Sequence, residues 1–281
     1  MMADYLEWVG RTRTSRDEVT AAPIRDLAAT LDRDDPDPET GNALPQLWHW
    51  LFFHAVHKSR QMRPDGQPFG DDFMPPIPLP RRMWAGSRFE WNSENPLRVG
   101  DRIACVSRVD SITPKKGRSG ELVFVRIVHK YSNTKGLSFV NEHDSVFRAA
   151  AEGMAEAAEP VRAPDCATWK RTLVPDPVLL FRYSALTFNS HRIHYDQPYA
   201  TQLEGYPALV VHGPLIATLL MDLLRREAPD AVVRKLDFKA IRPTYEGRAM
   251  HLNCSRHGDT VSLSTKDDQG FLTMEASALL L

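Results

Sequence analysis

Apolar residues recur at helical spacing over residues 17–31 and stop at 32–42, a run of Asp, Pro, Glu, Thr and Gly that must be a loop. A helix is therefore expected to end near Leu31. Residues 44–57 are dense in Trp, Phe and Leu, too few to span a membrane, and read as a buried helix or a strand. The segment 74–82, MPPIPLPRR, is too rich in proline for a helix or a central strand and is expected to cross a surface or an opening as a lid. Four stretches rich in β-branched and aromatic residues follow, 87–91, 101–109, 121–132 and 137–148, with Lys115, Lys116 and Gly117 between two of them as a hairpin tip. They predict an antiparallel meander.

Between 149 and 164 the composition turns to Ala, Glu and Pro without apolar periodicity. This divides the chain into a unit over 1–149, a linker over 150–164 and a second unit over 165–281. The second unit predicts a strand over 168–174, a helix over 177–187, a polar run over 189–195 and a helix from Pro214 to Glu227. In that last helix Leu215, Ile216, Leu219, Leu220, Leu223 and Leu224 are apolar, so nearly its whole circumference must be covered. Strands over 232–241, 249–255, 260–265 and 271–280 close the unit. One buried helix wrapped by a meander is a hot dog. The halves also resemble one another: LRVGD at 97–101 matches PTYEG at 243–247, and LAATLDRDDP at 27–36 matches YSALTFNSHRIH at 183–194. The expected fold is α+β, a double hot dog of two antiparallel sheets, each wrapping a central helix.

Charge and composition narrow the function. Lys plus Arg number 35 against 36 Asp plus Glu, so no global field points to nucleic acid or a membrane surface, and small-molecule work is the default. Cys105, Cys166 and Cys254 are odd in number and far apart, which fits a reducing compartment. The first residues carry Asp4 and Glu7 and no apolar run, so neither a signal peptide nor an anchor is expected, and the location is read as cytoplasmic.

The densest cluster of chemically able residues is FNSHRIHYD at 188–196, followed by VVHGP at 210–214. With these motifs the chain resembles the MaoC-like, hydratase-type family of double hot-dog proteins. Within it, the chain resembles the branch of fungal-type 3-hydroxyacyl-thioester dehydratases and of mesaconyl-CoA and itaconyl-CoA hydratases. The resemblance covers essentially the whole chain, including MPPIPLPRRMWAG at 74–86. The wider family's motif is an Asp, an Asn two residues on and a His five residues after the Asp. It places Asn189 at the Asp position, His191 at the Asn position and His194 at the His position. The resemblance implies a hydro-lyase whose first unit has lost the motif and supplies pocket walls.

Adding water to an α,β-unsaturated thioester needs a base for the water, an acid for the α-carbon and donors for the enolate oxygen. His194 is the one family-matched residue that titrates near neutrality, so it is assigned water activation, with the Asn189 amide orienting the same water. Pro214 belongs in the first turn of a helix, which leaves the Gly213 N–H as an oxyanion donor at the positive end of the helix dipole. His191 and His212 are assigned to the substrate, against the alternative that they only fix the loop by bonding to backbone. Arg192 and Arg182, with Arg242, are offered to the phosphates of CoA, against the alternative of ordinary surface charge. Asp196 is read as a loop cap. A zinc site from His191, His194 and His212 is not expected, because a close HxxH in a loop is not a zinc spacing.

The expected activity is reversible hydration of a short acyl-CoA such as mesaconyl-CoA or itaconyl-CoA, with no cofactor beyond the CoA of the substrate. The alternatives are a 3-hydroxyacyl-carrier-protein dehydratase and a silent thioester-binding module. The double hot dog leaves a homodimer open.

Overall fold

The computed structural model describes residues 5–70, 72–79, 81–117, 120–148, 160–163 and 167–281. Ten strands form one antiparallel sheet: β1 (Thr12–Glu18), β2 (Arg81–Trp91), β3 (Arg102–Gly117), β4 (Gly120–Asn133), β5 (Gly136–Arg148), β6 (Trp169–Leu173), β7 (Val233–Ala240), β8 (Met250–His257), β9 (Thr260–Lys266) and β10 (Leu272–Leu280). Their order is β1-β3-β4-β5-β2-β7-β10-β9-β8-β6. Outward from the β2–β7 joint both halves run in the same sequence, so each is one hot dog and the double hot dog is present. The two sheets expected from the sequence are fused into one, because β2 and β7 pair from Gly86↔Lys239 to Glu90↔Lys235. Gly86 makes the joint: a Cβ there would lie 2.3 Å from the carbonyl oxygen of Phe238.

The halves differ in their central helix. In the second half, α2 (Pro177–Leu186) leads to α3 (Gly213–Glu227), which is buried from Leu215 to Leu224. In the first half, α1 (Ala21–Thr30) is the counterpart of α2, but 44–57 contains only one 3-10 turn, Trp48–Leu51, beginning after Leu47 in the left-handed region at φ 69°. The position still corresponds. Leu44 N donates to Leu97 O at 2.8 Å just as Val211 N donates to Thr244 O at 2.9 Å, which sets the 3-10 turn level with the first turns of α3, two residues later than its start. Aromatic bulk fills the place of the missing helix: the His49 ring packs within 5.6 Å of Trp50, Phe89, Tyr131 and Phe139.

Three expectations are revised. The helix expected over 17–31 is shorter, because 12–18 is the edge strand β1, whose TRTSRDE is largely solvent-exposed and shows no apolar face. The proline-rich segment does not cover the candidate site. Its Met74, Ile77 and Leu79, with Phe73 just before it, pack on Val109, Val123, Val125 and Ile127 and close the far end of the first half's concave face. The linker expected over 150–164 lies outside the described residues except 160–163, which run beside the start of β10, Leu272 N donating to Val161 O at 2.8 Å.

One apolar cluster runs through both halves, and an ionic hub is buried in it. Asp222 on α3, 1% exposed at its side chain, accepts from Arg33 at 2.5 Å, Arg171 at 2.8 Å and Arg226 at 2.7 Å. Among the described residues no helix is long and apolar enough to cross a membrane.

Candidate active site

The site is built from the end of α2 and the start of α3. Asp176 caps α2 by accepting from Leu179 N at 2.7 Å, and Pro177 opens the first turn. Past the C-cap Thr187, Phe188 turns left-handed at φ 52°, and Asn189 N donates back to Ser184 O at 2.8 Å. This closure normally uses glycine. It starts the motif loop at Asn189, whose Oδ1 accepts from His191 N at 3.0 Å. Asp196 anchors the far end by accepting from Arg192 Nη2 at 2.7 Å and from Tyr199 N at 3.1 Å, which makes it the loop cap.

His194 sits on the 3-10 turn Arg192–His194, and that turn is tied to Val210 twice. Val210 N donates to Ile193 O at 3.0 Å, and the His194 Nδ1–H donates to Val210 O at 2.7 Å. A ring nitrogen facing a carbonyl must carry the proton, so His194 Nε2 is left as a lone-pair acceptor. Burial holds the His194 imidazole down at about 4 against the partial support of the Val210 carbonyl, so at neutral pH it is an uncharged base.

Directly against it lies His212, the N-cap of α3, its ring 3.8 Å from that of His194 and within 19° of parallel. His212 is 1% exposed, and burial pushes its imidazole well below the usual range, so two neutral rings stack without repulsion. Its Nε2 is hydrogen-bonded to Ser184 Oγ at 2.8 Å. Gly213 and Pro214 then open α3, whose Gly213 and Leu215 amides have no carbonyl one turn back within the helix, Pro214 having no N–H and the Ile216 N–H donating to His212 O at 3.1 Å. The fit at 213 is close: a Cβ would meet the ring of Trp84 at 3.3 Å. Trp84 itself is fixed by donating from Nε1 to Gly86 O at 3.0 Å and by stacking on His143.

A loop of the first half docks on the motif. Arg192 N donates to Asp65 O at 2.9 Å, Arg192 Nη1 to Pro64 O at 2.9 Å, and Ser190 Oγ to Gly66 O at 2.6 Å. Gly66, at φ 81°, has no room for a side chain: a Cβ would fall 1.8 Å from Ser190 O. Gln67 reaches furthest in, its Nε2 donating to His191 Nδ1 at 3.2 Å. Beside Asn189 and Ser184 opens a groove of about 360 Å³ walled by Met62, Phe181, Phe188 and Tyr195.

The structure therefore brings together Asn189, His191, His194, His212 and Gly213. His191 and His212, assigned to the substrate with backbone bonding as the alternative, are bonded to side chains, Gln67 and Ser184. Arg192 is engaged by Asp196 and Pro64 and stacks on Tyr199 at 4.2 Å, which makes it a loop staple. Arg182 lies on the exposed face of α2, and Arg242 stacks on Phe271 beside Asp267. Among the described residues no group of three or more His, Cys, Asp or Glu is arranged to hold a metal ion. Sequence reasoning missed Ser184, Trp84 and Gln67. Only Trp84 carried a signal, its place in MWAG two residues before the Gly86 joint.

A double hot dog that sets a neutral imidazole against the open first turn of a buried helix is the arrangement of an acyl-thioester hydro-lyase. Residues 47–246 match the family described as hydroxyacyl-thioester dehydratase type 2, and the chain belongs to that family. It is 40% identical to the mesaconyl-C(4)-CoA hydratase of Chloroflexus aurantiacus over 281 residues, 99% of this chain and 98% of that protein. The MaoC-like dehydratase of Phytophthora capsici shares the fold at a TM-score of 0.72 and 13% identity, with 100% of this chain and 99% of that one covered. A Mycobacterium tuberculosis protein described as having a double hotdog fold matches at a TM-score of 0.57 and 13% identity, over 97% of this chain and 96% of that one.

Proposed function

We propose that the chain adds water reversibly across the double bond of a short acyl-CoA carrying a second carboxylate, with mesaconyl-C4-CoA as the leading substrate. The hydro-lyase class follows from family membership, and the substrate from the full-length likeness to the mesaconyl-C(4)-CoA hydratase. The observation that carries the chemistry is the His194 Nδ1–H bond to Val210 O at 2.7 Å, which leaves Nε2 as the base. His194 takes a proton from water as the oxygen bonds to the β-carbon. The π electrons move onto the thioester oxygen, which the first amides of α3, Gly213 foremost, stabilise. The proton then passes from His194 to the α-carbon. The mechanism as proposed draws on no cofactor beyond the CoA of the substrate. The three dispersed cysteines favour a reducing, cytoplasmic setting.

The test follows the enoyl-thioester absorbance with mesaconyl-C4-CoA, itaconyl-CoA and crotonyl-CoA in turn, beside a His194→Ala variant. Consumption of mesaconyl-C4-CoA with an inactive variant supports the reading. Turnover of 3-hydroxyacyl-carrier protein in preference to every CoA ester shifts the function to the dehydratase that the family description names. Binding of CoA esters without any absorbance change leaves a silent module, and activity surviving in His194→Ala removes His194 as the base.

A further inference from the structure

Asn189 cannot exchange a proton near neutrality, and its oxygen is already committed to His191 N. The ring beside it is better placed. His191 lies edge-on to His194, ring centroids 5.5 Å apart and planes at 89°. Because Gln67 Nε2 donates to His191 Nδ1 at 3.2 Å, that nitrogen is the acceptor and the proton must sit on Nε2. His194 has the opposite tautomer, with Nδ1–H on Val210 O and a bare Nε2. The two neighbouring rings thus present one donor and one acceptor, which is what a single water needs if it is to be held by one group and deprotonated by the other.

We propose that Gln67 is a positioning residue that fixes His191 as a hydrogen-bond donor to the reacting water, completing a donor–acceptor pair with His194. The inference rests on the hydratase reading. In the hydration direction the water gives its proton to His194 Nε2 while its oxygen, held by the His191 Nε2–H, bonds to the β-carbon. His194 then passes that proton to the α-carbon, and His191 gains and loses none. In the reverse direction the same N–H steadies the departing hydroxyl. Gln67 can hold this register because its own loop is locked at both main-chain groups of that residue: Gln67 N donates to Asp65 Oδ1 at 2.8 Å and Arg63 N to Gln67 O at 2.7 Å. The groups facing His191 are Asp65, Glu204, Arg63, His194 and His212. Burial is the largest influence and keeps the ring neutral.

The test compares Gln67→Leu, which removes the donor, with Gln67→Glu, which replaces it by an acceptor and so pulls the proton of a neutral ring onto Nδ1. Long-range 1H–15N imidazole spectra, assigned with His191→Ala, read the tautomer directly. The wild type is expected to carry the proton on Nε2. Gln67→Glu is expected to carry it on Nδ1 at pH 8 and on both nitrogens as the pH falls, because a carboxylate partner favours the imidazolium. For kcat the expected loss in Gln67→Leu is about tenfold with KM nearly unchanged. Gln67→Glu should lose as much at pH 8 and recover towards acid, where Nε2–H returns, while the wild type stays flat. A wild-type ring protonated on Nδ1, wild-type kcat in both variants, or an equal and pH-independent loss with lowered Tm overturns the proposal. Turnover combined with the wrong tautomer sinks this inference alone. A wild type inert to every thioester, with the tautomer as stated, sinks the hydratase reading and with it the catalytic role of the pair.

Discussion

Arg33 and Asn189 stand at equivalent points of the two halves. Each is the second residue past the C-cap of a ten-residue helix, each follows a left-handed residue, Asp32 at φ 53° and Phe188 at φ 52°, and each donates its N–H to the carbonyl five residues back. The chain has thus made one geometry twice and used it differently. In the second half it opens the motif loop that carries His191 and His194. In the first, the guanidinium of Arg33 enters the ionic hub on Asp222 and fastens the halves together.

That hub sets a stability prediction. Asp222→Asn leaves Arg33, Arg171 and Arg226 around a buried neutral amide, and breaking a buried charge pair on one side costs about 3–5 kcal/mol. The urea midpoint should fall accordingly. A loss within 1 kcal/mol (about the worth of an exposed pair) would show that the hub is no clamp.

Acid should unfold the protein through its histidines. Burial holds His49 and His143 at about 3 and His129 and His194 at about 4. Their unfolded values lie near 6.5, so between about 6.5 and 4 the unfolded chain binds more protons and stability falls as pH drops. Each such histidine removes about 1.4 kcal/mol per pH unit in that window, and full stability is present above it. Circular dichroism melts at pH 7.5, 6 and 5 should show steep loss, and a constant Tm would contradict the burial. Above the unfolding range kcat/KM should stay flat through pH 6.5, where an ordinary histidine base would lose half its activity.

Gly213→Ala tests the opening of α3. The added methyl meets the Trp84 ring at 3.3 Å, so the ring and the opening of α3 must shift relative to each other, while a helix start tolerates alanine. The expected result is an unchanged Tm with kcat down about 100-fold, the scale of a misplacement near 1 Å. Pairing it with Trp84→Phe, which shortens the opposing ring, should restore part of the loss, and strict additivity of the two variants would deny that they touch.

Ser184→Ala tests the support beneath the base. His212 Nδ1 already lacks a partner, and removing the Ser184 hydroxyl leaves Nε2 without one as well. A fully buried orphan costs about 1–3 kcal/mol, and kcat should fall with it, since His194 stacks on that ring. Wild-type stability and kcat together would mean that the bond at 2.8 Å holds nothing in place.

The amino-acid order alone determined the C-terminal half. Apolar periodicity over α3, Pro214 at its start and the meander after it are local signals, each read within a few residues. His194, Asn189 and Gly213 were legible for the same reason, lying in two short motifs on either side of one turn. The tertiary structure decided what depends on distant partners. Residues 44–57 have the apolar content of a helix, yet form one 3-10 turn because aromatic rings from β2, β4 and β5 fill the space around His49. β1 is polar along its length and is a strand only because β3 offers it hydrogen bonds from Thr12↔Arg108 to Glu18↔Arg102. Gln67 lies in no motif, and Ser184, although inside YSALTFNSHRIH, carries no sign there of the histidine it meets. Each is 28 or more residues from the histidine it holds: docking of the first half on the motif loop brings a donor to His191, and the packing of α2 against the start of α3 brings a hydroxyl to His212.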